Sequence, residues 1–312
     1  MSTAAAVKPM RICSLLPSAT EILYALGLGD CVVGVTHECD FPPEAARKPF
    51  LIRPRVDPKA SPAETDRLVA EIIARGESIY SVDAELLASL SPDLIVTQDL
   101  CHVCAASPDD LATALTRFEK RPRVLSLTPR TLAEVWANVR SVGEATGRQR
   151  EADALADSLD QRVAAIEATA RRAPSRPRVL CLEWLDPYYV GGHWVPEMVA
   201  KAGGQDVLGR EREPSYRVTT EEIVAARPEV IVVMPCGYDV ARTAAEFRQM
   251  QIPEAWKDLP AVRNGAIFAV DANSYFSRPG PRLADGIAIL ANILHPELFP
   301  EQAASQQYSR LL

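Results

Sequence analysis

No stretch of this 312-residue chain approaches the ~20 consecutive apolar residues that a membrane-spanning helix needs. Basic stripes interleaved with aromatics are also missing, and the formal net charge is −7, so a nucleic-acid role is excluded. The chain has no phosphate-binding P-loop, no Gly-x-Gly-x-x-Gly after a strand and no Gly-x-Ser-x-Gly elbow. Without those signatures, Ser18 reads as a helix cap and not a nucleophile, and no enzymatic activity is expected. The first ten residues lack both a charged segment and an apolar segment of secretory type. As written, the chain is therefore expected in the cytoplasm; a misassigned start site would make it periplasmic or extracytoplasmic.

Cysteine is present in an odd number, seven, which excludes complete pairing within the chain. Cys13, Cys31 and Cys181 sit in or beside apolar runs and read as small core residues. Cys39, Cys101, Cys104 and Cys236 fall in expected loops.

The strongest positive signal is an internal repeat. Residues 82–96 recur in degenerate form at 218–232, with Glu85 matching Glu221, Pro92 matching Pro228, and Ile95-Val96 matching Ile231-Val232. Each copy predicts a short helix capped by Asp83 or Thr219, ended before the proline, and followed by a strand apolar enough to be buried on both faces. Two similar α/β lobes follow from this.

Other segments fit the same scheme. Ser18 and Glu21 have capping-box spacing for a helix ending near Gly27, and Ser61 and Glu64 repeat that spacing with Pro62 at the first helical position. From Leu132 to Arg172 the pattern is almost purely helical, with breaks near Gly143 and Gly147. The later part places Leu155, Leu159, Val163 and Ile166 on one stripe, and from Arg148 to Arg172 it would span roughly 37 Å. The expected organisation is an N-terminal α/β lobe at 1–130, a helical connector at 131–174 and a C-terminal α/β lobe at 175–312.

The order of Ser14-Leu15-Leu16-Pro17-Ser18-Ala19-Thr20-Glu21, Gly34-Val35-Thr36 with Asp40-Phe41-Pro42-Pro43, both repeats, Gly203-Gly204 and Ser274-Tyr275-Phe276-Ser277-Arg278 resembles the substrate-binding proteins of ABC importers for vitamin B12 and iron-siderophores. The cobalamin-binding branch is the closest match, and the resemblance covers nearly the whole chain. It implies a class III periplasmic-binding-protein-like fold: two Rossmann-like α/β lobes joined by a single long α-helix. It also implies reversible binding of a corrinoid, cobalamin or a precursor, in the cleft between lobes. The matching positions are the 36–41 loop (His37, Cys39, Phe41), Gln98, the 184–194 loop (Trp184, Tyr188, Trp194), Tyr216, Tyr275, Phe276 and Arg278. Glu85 and Glu221 fall where the family docks an ABC permease, although a carboxylate in a helix's first turn also offsets the helix dipole with no partner at all. A monomer is expected.

The aromatic loops fit that reading on physical grounds. A flat macrocycle gains most from rigid aromatic faces, and Trp184, Tyr188, Tyr189, Trp194, Tyr216, Tyr238, Tyr275 and Phe276 fall mostly in expected loops; the competing reading is that many only pack loops onto sheets.

The His/Cys loops lie outside the family pattern. His37, Cys39, Cys101, His102 and Cys104 are expected at two neighbouring strand ends, with Cys236 opposite, and thiolate plus imidazole suit zinc, copper(I) or cobalt. Three readings stay open: incidental thiols, contact with a bound corrinoid or its metal, and an independent metal ion. If an imidazole met cobalt, Asp99 or Glu38 could orient its other nitrogen. The alternative ligands are haem, with His37 or His102 as axial ligand, and a ferric siderophore, which would need a basic cleft. A metal-handling protein or enzyme built on the His/Cys cluster is the remaining alternative.

Overall fold

A computed structural model describes residues 9–57, 60–98, 108–300 and 307–312, without the side chains of residues 108–110. In chain order the elements are β1 (Ile12–Ser14), α1 (Pro17–Ala25), β2 (Val32–Thr36), β3 (Phe50–Pro54), α2 (Pro62–Ala74), β4 (Tyr80–Val82), α3 (Ala84–Ser89), β5 (Leu94–Thr97), α4 (Pro108–Leu115), β6 (Arg123–Ser126), α5 (Leu132–Thr146) and α6 (Gln149–Ala170). They continue with β7 (Arg178–Leu185), β8 (Tyr188–Val190), α7 (Val195–Lys201), β9 (Gln205–Asp206), β10 (Tyr216–Arg217), α8 (Thr220–Ala226), β11 (Val230–Val233), α9 (Val240–Gln249), α10 (Pro260–Arg263), β12 (Ile267–Val270), α11 (Ala272–Tyr275), α12 (Leu283–Leu294) and β13 (Tyr308–Arg310).

Two compact units form. The first gathers Met1–Ala60, Arg67–Thr128 and Asn138–Leu155; the second gathers Ser61–Asp66, Pro129–Ala137 and Ala156–Leu312. Each is an α/β unit, and the 22-residue helix α6 carries the chain from one to the other, as the fold class anticipated.

The first unit holds a sheet of order β4-β3-β2-β1-β5-β6, parallel except for β4. Its central strands β1 and β5 are buried along their whole length, which explains their unbroken apolar character. Cys13, Leu15, Leu51, Ile52, Leu87 and Ile95 form its core. Gly34 in β2 is required there: a Cβ would lie 2.6 Å from Leu51 Cδ1 and 2.8 Å from Leu90 Cδ1, so the leucines close over the bare backbone. This sheet order corrects one expectation. β1 lies between β2 and β5, so the 36–41 loop and the segment after Thr97 leave strands about 9–10 Å apart, not adjacent ones.

The second unit holds β10-β8-β7-β11-β12-β13, with β9 beside β7. β7, β11 and β12 run parallel, while the hairpin strand β8 and the terminal strand β13 run antiparallel to their neighbours. Leu180, Leu182, Ile223, Ile231, Val233, Trp256 and Ile267 form the core.

Both repeat copies form as read. Asp83 accepts the Leu86 N–H at 2.9 Å, and Thr219 caps α8 in a reciprocal box with Glu222. Ser61 likewise accepts the Glu64 N–H at 3.3 Å. The box expected at Ser18 does not form: α1 begins two residues earlier than that cap requires, at Pro17, Leu16 is its N-cap, and Ser18 and Glu21 are both buried. Proline's preset φ and missing N–H make it the better first residue there. Between α5 and α6 the chain turns at Gly147 (φ +72°), and α6 buries Ala152, Ala156, Leu159 and Val163 on one stripe.

Candidate functional site

Parallel strands deliver their following loops to one edge of each sheet, and open α/β sheets bind ligands at that carboxyl edge. In the first unit this edge carries His37 after β2, Gln98 after β5, and Tyr80 at the start of the antiparallel β4, opposite Pro54. His37 is partly exposed, with Nδ1 3.0 Å from the Ile52 carbonyl oxygen and its ring 5.9 Å from that of Tyr80. The orienting group is therefore a backbone carbonyl of β3 and not Glu38, while Asp99 lies outside the described residues. Tyr80 donates its hydroxyl to Glu38 at 3.4 Å. Phe41 is 44% exposed, unusual for a ring that size, and Gln98 is buried.

Cys39 departs from its expected ligand role. It is 1% exposed, and its Sγ lies 3.1 Å from Thr20 Oγ1 and 3.3 Å from Thr36 Oγ1, enclosed by α1 and β2. Cys13 and Cys181 are core thiols as read, and burial pushes the Cys13 thiol up to about 12, far from thiolate chemistry. Cys101, His102 and Cys104 lie outside the described residues. Among the described residues no three His, Cys, Asp or Glu side chains converge to hold a metal ion, so exposed Cys236 joins no such group.

The carboxyl edge of the second unit is aromatic. Trp184 on β7 is half-buried, donates its indole N–H to the Pro62 carbonyl at 3.2 Å and meets Tyr238 edge-on at 5.6 Å. The Arg242 guanidinium lies 3.7 Å over the Tyr238 ring. Tyr275, at the end of α11, is half-buried, accepts the Gln307 amide N–H at 3.2 Å and has Arg282 5.7 Å over its ring. Arg278 is buried and donates to Asn273 at 2.8 Å.

Five aromatics expected to meet a ligand are turned to packing, Tyr238 among them, buried against Trp184 and Arg242. Residues 184–190 of the expected 184–194 loop belong to a β-hairpin, so their side chains alternate. Tyr188 faces the core, its ring 5.2 Å from Trp256, whereas Tyr189 lies on the other face, where its hydroxyl accepts from Arg217 at 2.7 Å. Tyr216 on β10 packs against the same core and donates to the Leu208 carbonyl at 2.6 Å. Trp194 and Phe276 are buried together, joined by a 2.8 Å bond from the indole N–H to the Phe276 carbonyl.

Two groups escaped sequence reading. Asp66, in the second turn of α2, takes a two-pronged ion pair from Arg217 at 2.7 and 2.9 Å. Asp206 on β9 keeps one carboxylate oxygen enclosed without a hydrogen bond, and burial pushes its carboxyl up to about 6. Neither has a sequence signature. The repeat residues Glu85 and Glu221 are both exposed in the first turns of α3 and α8, and Glu85 lies 3.4 Å from Arg117.

Comparison with known proteins adds four findings. The profile of the family described as periplasmic binding protein matches residues 12–274. The uncharacterized ABC transporter substrate-binding lipoprotein YvrC of Bacillus subtilis (strain 168) is 29% identical over 306 residues, 94% of this chain and 82% of that protein. A vitamin B12-binding protein of Vibrio cholerae serotype O1 is 26% identical over 283 residues, 89% of this chain and 86% of that one. Among solved structures, the apo periplasmic heme-binding protein RhuT from Roseiflexus sp. RS-1 superposes with a TM-score of 0.69 at 25% identity, over 93% of this chain and 100% of that chain.

Proposed function

The chain belongs to the periplasmic binding protein family, and from that premise we propose that the solute it binds is a corrinoid, cobalamin or a precursor. The observation that carries this reading is the aromatic edge of the second unit. Trp184 and Tyr275 stand half-buried at the carboxyl ends of the parallel strands, steadied by Pro62, Tyr238 and Gln307. Rigid rings held by neighbours lose little entropy when a flat macrocycle settles on them, and each buries a large apolar area. The vitamin B12-binding relative spans most of both chains and supports the same choice.

Haem is the second reading, favoured by the heme-binding RhuT at 25% identity and by the partly exposed His37 imidazole. A ferric siderophore remains an alternative of the same kind. The relatives are named for binding and for transport, not for a reaction, and this reading includes no chemistry on the ligand. It takes the extracytoplasmic alternative for location, since the names lipoprotein and periplasmic lend the cytoplasmic expectation no support. The partner is an ABC permease, met through Glu85 and Glu221, which occupy equivalent exposed positions in the repeat.

Titration of the purified chain with aquocobalamin and with haem, read by calorimetry and absorbance, tests the choice. One corrinoid per chain with a spectral change is the expected result. Binding of haem alone would move the assignment to the second reading.

A further inference from the structure

The carboxyl edge of the first unit holds an imidazole whose tautomer is set by its surroundings. His37 Nδ1 lies 3.0 Å from the carbonyl oxygen of Ile52. A carbonyl only accepts, so Nδ1 carries a proton, and in the neutral ring it is Nε2 that keeps the lone pair. The contact arises because β2 and β3 run parallel with a register shift at Val35 and Thr36, just before His37 leaves the strand. The Tyr80 ring, 5.9 Å away and tilted by 46°, limits how far the imidazole can turn. Nε2 lies 4.0 Å from Glu38 Oε1, beyond hydrogen-bonding distance, and the side chain is 26% exposed. A histidine that donates one N–H to a backbone carbonyl and presents the other nitrogen bare is the arrangement that metal-ligating histidines adopt.

We propose that a corrinoid at the carboxyl edge of the first unit takes His37 Nε2 on its cobalt, in an axial position vacated by water. The proposal rests on the corrinoid reading above. The Nε2 lone pair forms the Co–N bond, the departing water leaves neutral, and no electron or proton is transferred. The nearby Glu38 carboxylate complements the positive charge of an aquocorrinoid. Imidazole is a borderline ligand suited to cobalt, so a corrinoid with an exchangeable axial water is held more tightly than one whose axial position is blocked by cyanide.

The test compares wild type with His37→Gln, using aquocobalamin and cyanocobalamin as probes. The amide of Gln can still donate to Ile52 yet does not replace imidazole on cobalt. Wild type is expected to shift the visible bands of aquocobalamin and to bind it at least tenfold more tightly than cyanocobalamin; His37→Gln loses the shift and the preference. Free imidazole added to His37→Gly should restore the shift. A measurement on unmutated protein stands beside these: cob(II)inamide, which lacks its own nitrogen base, bound to protein carrying histidine labelled with the heavy nitrogen isotope. Its electron paramagnetic resonance should show axial nitrogen splitting that changes from triplet to doublet. Identical aquocobalamin spectra for wild type and His37→Gln, or no axial nitrogen splitting, would overturn the assignment of His37 with corrinoid binding intact. Failure of wild type to bind either corrinoid would remove the corrinoid reading and this proposal with it.

Discussion

The Trp194 indole N–H bonds the Phe276 carbonyl at 2.8 Å, and both rings are enclosed in the second unit. This separates two kinds of aromatic that composition alone cannot distinguish: rings that hold α7 and α11 together, and rings left at the sheet edge.

Truncation should therefore act differently on the two kinds. Phe276→Ala is expected to cost about 3–5 kcal/mol of stability, as buried aromatics do. Trp184→Ala should leave the thermal midpoint within a few degrees of wild type and weaken corrinoid binding about tenfold, roughly 1.4 kcal/mol. Paired melting curves and calorimetric titrations check this; equal binding by Trp184→Ala would place the ligand elsewhere.

Asp206 should give stability an unusual pH dependence. Its Oδ1 accepts the N–H groups of Leu208 (3.1 Å) and Gly209 (2.6 Å), while Oδ2 is enclosed with no partner. The folded carboxyl titrates at about 6, against 3.8 for the ordinary group. Between those values the unfolded chain releases its proton first and so binds fewer protons, and this residue's contribution falls as pH rises through the window, by up to about 3 kcal/mol. Urea unfolding of wild type and Asp206→Asn at several pH values checks it: the difference between the two should grow toward neutral pH and level off above about pH 6. A difference independent of pH would refute the account.

Gly286 faces the backbone carbonyl of Tyr275, and a Cβ there would also lie 2.7 Å from Met198 Cε. Backbone cannot yield as a side-chain tip can. Gly286→Ala should therefore destabilise the second unit by about 1–3 kcal/mol and shift α11, which carries Tyr275. The expected readout is a lowered melting temperature together with weaker ligand binding.

Charge reversal at Glu85 and Glu221 should separate docking from binding. The double variant Glu85→Lys, Glu221→Lys keeps both helices, because the caps Asp83 and Thr219 are untouched. Ligand affinity is expected to stay within about twofold, while uptake through the partner permease falls at least tenfold, the effect of like charges meeting across an interface. Unchanged uptake in reconstituted vesicles would assign both residues to the helix dipole alone.

Local chemistry made much of the architecture readable. The repeat announced α3 with β5 and α8 with β11, because capping residues, a terminating proline and a doubly buried strand leave strong marks over a dozen positions. Strand order leaves none, and the sequence reading accordingly brought the β2 and β5 ends together across β1. The β7–β8 hairpin did carry a signal, two apolar runs separated by Asp186-Pro187, which the density of aromatics obscured. Burial of Cys39 between two threonines and of Trp194 against Phe276 is tertiary in origin, and residue type alone does not report it. The aromatic edge and the His37 imidazole were both among the residues singled out, whereas Asp66 and Arg217 meet across a long stretch of chain and could be found only in the fold.

β13 has a consequence for how the protein is made. It contributes Tyr308–Arg310 to the edge of the second sheet, antiparallel to β12. Its partner residues, 268–270, leave the ribosome some 40 residues earlier, and at roughly 5–20 residues per second they wait about 2–8 s for their neighbour. During that interval Phe268, Ala269 and Val270 present unpaired backbone groups along an apolar strand, an open template for any other extended chain. The nascent protein is thus vulnerable to mispairing between synthesis of β12 and of β13, and slowing translation of the codons for 271–307 should lower the soluble yield more than slowing an equal stretch before β12.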